Sequence, residues 1–493
     1  MGVAHLIPFT RLTKVVARPT VAIRVGALVG LFLFFAGLAA ILPPVDDELY
    51  YWCWSRNLQL SYYDHPPMVA YLIRMTTAIF GDTVFALRLP AVLASVVAFG
   101  IVAYLTRWRR FLITVLLTPL FTFGAILVTP DTPLLLFWSL YLLWLTKLHD
   151  RLALSTGIEP PRVSWGYWTL GGVLLGCGVL GKYTMALAVP AGAVSLLFVR
   201  PWSRWIPGFV WHGVVSFVVA SPILIFNIQQ DFVPLRYQWE HATATGNSGL
   251  KSFGEFVGVQ ILGFGLLPFV LLPWAIRHYR QLAANSTLRV CLFLYVVPFV
   301  IFVYKSIRGP LEGNWAIVAY IGFWPVAAVW FDSIRGWKWG QRLAIAASAP
   351  PALCVFFLAV HLIYPWPFVP PRPDRVTRQF DRIAAFRKAA DAIHARDESI
   401  PVYASVYQDV AVLRFFGVDA RQIDGISRPS HFTRPSERTQ DHDHVFVFSE
   451  GPLPAAITYG FALPELIFQT PLIVRGEWLS NYYVWELRKL PSP

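Results

Sequence analysis

The stretch VDDELYYWCWSRNLQLSYYDHPPMVAYL, residues 45–72, sets Asp46, Asp47, Glu48 and Asp64 among Tyr and Trp side chains. An apolar run over about residues 24–44 comes immediately before it. About 20 apolar residues suffice for a helix to cross the hydrocarbon core. Four carboxylates therefore stand where the chain leaves a membrane, a place where acids are expensive and mark function by default.

Working outward, the same apolar texture recurs along the whole chain. Of 493 residues, 56% are hydrophobic and only 14% charged, against roughly 25% charged in soluble domains. Mean hydropathy is +0.53. Apolar runs fall near 24–44, 88–106, 111–129, 132–148, 166–182, 183–199, 206–226, 255–276, 288–304, 315–332 and 341–364. By length these predict about eleven spans, with the 166–199 stretch split at Gly181-Lys182. The fold class is a polytopic α-helical membrane protein. The first run has no clear cleavage site and reads as an uncleaved span, not a signal peptide.

The net charge of +13 does not call for nucleic acid. Every second connection is basic: Arg11, Lys14, Arg18 and Arg24; Arg107, Arg109 and Arg110; the 147–162 segment; Arg200 and Arg204; Arg277, Arg280 and Arg289; Arg335, Lys338 and Arg342. Such residues collect in cytoplasmic loops. The N-terminus is thus expected in the cytoplasm, with membrane lipids as partners. The intervening connections, and everything after 364, then face outward. The four cysteines are scattered without a CxxC, which predicts neither a disulfide framework nor a cysteine metal site.

The domain reading is a transmembrane region over 1–364 with an outer loop at 45–87, a stiff Pro-rich linker at 365–374, and a small α/β domain over 375–493. Within that domain, 376–396 reads as an amphipathic helix and 408–416 as another. Segments 401–406, 445–449 and 482–487 read as strands. The Asp441-His442-Asp443-His444 tract reads as polar turn residues before a strand.

The topology places Asp46, Asp47, Glu48, Asp64, His65, Asp131, Lys182, Glu240, His241, Lys305, Arg308, Glu312 and Asn314 on one face, mostly at span ends. Each has an ordinary reading. The acids can cap helix starts, the Asp46–Leu58 segment can lie in the headgroup layer with its aromatics, and the cations can anchor span ends. Convergence from five separate connections argues for more. A carboxylate can take a proton from an attacking hydroxyl, and Lys, Arg or a metal can neutralise a departing phosphate.

The Asp47-Glu48-x-x-Tyr51 motif, the Tyr63-Asp64-His65-Pro66-Pro67 turn, Asp131 before a span, Lys182 in LLGCGVLGKYTMALAVP, and Trp239-Glu240-His241 after Asp231-Phe232 resemble the GT-C glycosyltransferases. Within these, the resemblance is to the aminoarabinose lipid A transferase and the related protein O-mannosyltransferases. It covers about residues 25–320 in order. It implies a GT-C-like fold and a bacterial inner-membrane enzyme with an extracytoplasmic C-terminal domain. The donor would be a polyprenyl-phosphate-linked sugar and the acceptor lipid A, a glycan or a protein, with inversion at the anomeric carbon. By match, Asp47 is the candidate base and Asp131 a second essential acid, while Asp64 and His241 correspond to a divalent-metal pair. Lys182 and Lys305 would face donor phosphate. Glu48, His65, Glu240, Arg308, Glu312 and Asn314 complete the expected substrate-binding set. The rival class, a transporter of a lipid-linked substrate, would place its binding groups near the bilayer midplane between repeated halves, and no internal repeat is visible.

Overall fold

The computed structural model describes residues 19–108, 119–153, 163–243, 249–397, 399–433, 439–453, 455–459 and 461–489. The chain divides into two compact units. One comprises Met1–Leu38, His65–Val69 and Arg88–Phe357; the other comprises Ala39–Asp64, Ala70–Leu87 and Leu358–Pro493.

The first unit is helical. Among the described residues, six helices are long and apolar enough to cross a membrane: Val21–Ile41, Val84–Leu105, Ile206–Gln229, Ser286–Arg308, Gly313–Ser333 and Lys338–Ile363. The helices Gly249–Phe264 and Leu267–Arg277, bent by 95°, make a seventh if taken as one span. The chain is a multi-pass membrane protein, but eleven spans are not confirmed. Of the 111–129 run, residues 111–118 fall outside the described residues, and the rest holds only the short helix Pro119–Gly124. The 132–148 run lies in the helix Asp131–Ala153, which also holds Lys147, Asp150 and Arg151. The 166–182 run becomes a helix of 17 residues, Trp165–Gly181. The 183–199 run becomes a 3₁₀ turn, Tyr183–Leu187, followed by the short helix Ala188–Leu196. Apolar composition marked these segments without setting the length over which each stays straight.

Close helix contacts in this unit rest on small residues. Trp165–Gly181 lies against Ile206–Gln229, and a Cβ on Gly172 would fall 2.6 Å from the His212 carbonyl oxygen. One on Gly176 would fall 2.6 Å from the Val219 Cβ. Small residues four apart let membrane helices approach backbone to backbone. The 95° bend occurs at Gly265, whose φ of 76° lies in the left-handed region that favours glycine.

The second unit is built on a five-stranded sheet, β1 (Val402–Ala404), β2 (Ala420–Gln422), β3 (His444–Glu450), β4 (Glu465–Val474) and β5 (Glu477–Arg488), in the order β2-β1-β3-β5-β4. β1 pairs in parallel with β2 and β3; β3–β5 and β4–β5 are antiparallel. Arg475 and Gly476, both at positive φ, turn β4 into β5, as two-residue hairpins require. The DHDH tract is a short turn leading into β3, as its composition suggests. One sheet face covers Tyr403, Val445, Val447, Ile457 and Leu487. Helix Arg375–His394 contributes Phe386, which packs on Phe448 and Tyr482 at centroid separations of 4.6 and 5.0 Å.

The opening stretch belongs to this unit. Helix Asp46–Arg56 lies against helix Tyr407–Phe415, with Trp52 5.1 Å from Phe415 and Tyr50 4.6 Å from Tyr407. Leu49 through Ser55 are all buried. The headgroup-layer reading of these aromatics is therefore corrected: their rings fill a protein interior, and burial against the Tyr407–Phe415 helix favours that arrangement.

Candidate active site

In the second unit, only Glu48 among the acids of the opening stretch serves the start of helix Asp46–Arg56. The helix begins after Val45, whose backbone N–H donates to Glu48 Oε2 at 2.9 Å. Glu48, 1% exposed, thus satisfies an orphan amide of the first turn and leaves its two acidic neighbours to side-chain partners. Asp46 accepts from Arg382 and from Gln379 Nε2 at 3.0 Å. The same Arg382 donates to Asp409 Oδ1 at 2.7 Å. Two carboxylates share one guanidinium, and burial pushes Asp409 up to about 7 although Arg382 opposes the shift.

Asp47 Oδ1 accepts from the Tyr407 hydroxyl at 2.9 Å. Asp47 is exposed, yet the surrounding protein takes part of its hydration. Loss of hydration there raises it above the ordinary carboxylate range. The Tyr407 bond and Arg428 pull it down, while Asp46 and Asp64 push it up.

Asp64, 5% exposed, accepts the Tyr50 hydroxyl on Oδ2 and Arg428 Nη1 at 2.7 Å on Oδ1. Tyr50 is itself held from behind, its oxygen accepting the His431 backbone N–H at 2.8 Å. Burial, then the Asp64 charge, holds its phenol well above its usual range, so it stays a donor. Burial alone would lower Arg428, but Asp64 and Tyr407 outweigh it and keep the guanidinium charged. Arg428 also lies over the Tyr407 ring at 4.3 Å. Tyr407 thus touches both the Asp47 base candidate and the cation.

In the helical unit a separate group forms around Asp131, in the first turn of helix Asp131–Ala153. Lys182 Nζ donates to its Oδ1 at 2.7 Å and Asn314 Nδ2 to its Oδ2 at 2.8 Å. Lys182 reaches it because the chain is extended there, between Trp165–Gly181 and the following 3₁₀ turn. This break lies at the Gly181-Lys182 split predicted from sequence. Asn314 lies in the 3₁₀ segment Gly313–Val318, which Gln260 anchors by donating to the Gly313 carbonyl at 2.9 Å. Tyr320 in turn donates to Gln260 Oε1 at 2.9 Å. The polar groups are thus linked from Tyr320 to Lys182, as groups surrounded by apolar helices must be.

The remaining expected residues of the helical unit differ in exposure. His65 and Lys305 are half-buried; Glu240, Arg308 and Glu312 are exposed. His241 lies in helix Val233–Thr243, with its side chain outside the described residues. Sequence reasoning missed Arg382, Tyr407, Asp409, Arg428 and Gln260. Only Arg382 left a signal: it falls on the apolar stripe of its helix, four residues before Phe386.

The implied metal is a poor fit. Both Asp64 oxygens are engaged, one by a guanidinium that would repel a cation, and among the described residues no group of three or more His, Cys, Asp or Glu side chains could hold a metal ion.

Residues 64–226 match the family described as dolichyl-phosphate-mannose-protein mannosyltransferase. The lipid A galacturonosyltransferase RgtD of Rhizobium johnstonii is 27% identical over 70% of this chain and 72% of its own length. The undecaprenyl phosphate-α-4-amino-4-deoxy-L-arabinose arabinosyl transferase of Edwardsiella ictaluri is 28% identical over 51% of this chain, and the match spans about half its length, 47%. Among solved structures, ArnT from Cupriavidus metallidurans matches 94% of this chain and 98% of its own. The TM-score is 0.62 in the apo state and 0.60 bound to undecaprenyl phosphate, at 14% identity in both. With this architecture over nearly its full length, and relatives that are named glycosyltransferases, the chain is a membrane glycosyltransferase of GT-C fold that resembles the aminoarabinose lipid A transferase.

Proposed function

We propose that the protein transfers one sugar from a polyprenyl-phosphate donor to lipid A at the outer face of the bacterial inner membrane, with inversion. The observation that carries this is Asp47: an exposed carboxylate with one oxygen held by Tyr407 and its pKa raised by partial loss of hydration. A base poised nearer neutrality suits removal of a hydroxyl proton. Asp47 takes the proton of the acceptor hydroxyl as that oxygen bonds to the anomeric carbon. The carbon–oxygen bond to the donor phosphate breaks, and its electron pair leaves on the polyprenyl phosphate. Asp131, held by Lys182 and Asn314, is the second essential acid, and Lys182 and Lys305 serve the donor phosphate. Galacturonic acid is the sugar, a reading supported by the extent of the match to the Rhizobium johnstonii enzyme. The basic connections support a cytoplasmic N-terminus and a periplasmic C-terminal unit.

Mass spectrometry of lipid A from cells with and without the gene tests the substrates. Loss of one hexuronic acid from lipid A is expected; unchanged lipid A overturns the acceptor, and loss of an aminopentose overturns the sugar. Asp47→Asn tests the base: transfer should fall by at least about 100-fold with the protein still inserted and folded. Activity near wild type removes Asp47 from that role.

A further inference from the structure

We infer that Arg428 is the fixed cation of the acidic cluster in the second unit, supplying at Asp64 the positive charge a divalent metal would bring, so that transfer needs no bound metal. The inference rests on the transferase reading for its activity arm alone.

Three observations support it. Asp64 is nearly inaccessible, with Tyr50 on one oxygen and Arg428 at 2.7 Å on the other. Tyr50 cannot turn away without breaking its second bond, from the His431 amide, so the carboxylate is committed before any ligand arrives. The Arg428 side chain is 40% exposed, so an anion can approach it from solvent, and its guanidinium lies over the ring whose hydroxyl holds Asp47. A guanidinium is permanently charged, presents several donors in a plane and suits phosphate oxygens. Unlike a metal, it cannot be removed by a chelator.

The full-length protein, purified in detergent and treated with EDTA, should carry well under one equivalent of zinc or manganese by plasma mass spectrometry. Added Zn²⁺ or Mn²⁺ should not raise its melting temperature. Neither readout needs a donor, so both stand even if the transferase reading fails, and that failure shows separately as no transfer from any polyprenyl-phosphate sugar. In the transfer assay, wild type should keep its rate within about two-fold in EDTA, while Arg428→Ala should lose about 100-fold or more and Arg428→Lys recover part. If Arg428 merely balanced the Asp64 charge for folding, Asp64→Asn with Arg428→Ala would restore transfer. That recovery would overturn the inference. So would stoichiometric metal after EDTA, or wild-type activity lost to EDTA and regained with Zn²⁺ or Mn²⁺.

Discussion

Replacing Tyr407 by Phe removes a single donor from the Asp47 carboxylate. The ring that packs on Tyr50 at 4.6 Å and under Arg428 at 4.3 Å remains. The lost bond, 2.9 Å long, favours the ionised form of Asp47, so its removal raises the pKa further. A hydrogen bond to a charged group contributes about 1.5–3 kcal/mol. Asp47 keeps an exposed face, where water takes over part of that role, so the low end applies, about 1.5 kcal/mol. One pKa unit corresponds to about 1.4 kcal/mol, which makes the shift about one unit upward. The base works deprotonated, so activity is lost at low pH and the acid limb of the kcat/KM profile should move up by about one pH unit. Initial transfer rates of the purified protein across pH measure this, and the high-pH plateau should stay within about three-fold of wild type. A limb that does not move, whether the rate is unchanged or lost uniformly at every pH, refutes the assignment of Asp47 as the base.

Other expectations concern the charge clusters. Lys182→Met and Asp131→Asn should each slow transfer, and their double variant should show a coupling of about 1–3 kcal/mol in the double-mutant cycle; additive losses would mean that the pair does not act as one. Arg382→Leu strips the shared partner from Asp46 and Asp409, a change that costs about 3–5 kcal/mol for buried pairs. The second unit's melting temperature, read by thiol labelling of buried Cys53 in a background lacking Cys177, Cys291 and Cys354, should drop by roughly 10 °C; a drop under about 2 °C counts against the shared pairing. Asp409 is raised from 3.8 to about 7 by folding, so between those values the folded unit holds a proton that the unfolded chain has lost. Its contribution to stability therefore falls as pH rises through that window and is level above it. Asp409→Asn lacks the slope, so wild type should lose melting temperature relative to it from about pH 4 to 7, and parallel curves would overturn the shift.

The apolar runs by themselves determined that the chain crosses a membrane repeatedly, because burying apolar length in lipid is a local property of composition. Most elements of the C-terminal unit were equally legible: the amphipathic period before His394, the β-rich runs around Val402 and Val445, and the polar turn before β3. β4 escaped because Pro471 reads as a strand breaker, a residue an edge strand tolerates. β2, three residues long, is below what pattern can resolve.

Of the candidate site, sequence identified the acids, and tertiary structure decided their partners. Asp47 meets Tyr407 across 360 positions and Asp64 meets Arg428 across 364, separations no local pattern encodes. Asp46, Asp47 and Asp64, each plausible as a cap, hold other partners because Glu48 takes the amide at the helix start and helix Tyr407–Phe415 covers the aromatic stretch. Which carboxylate stays open to solvent and which is paired with an arginine follows from that packing, since desolvation and pairing are set by the atoms that surround a group and not by its neighbours along the chain.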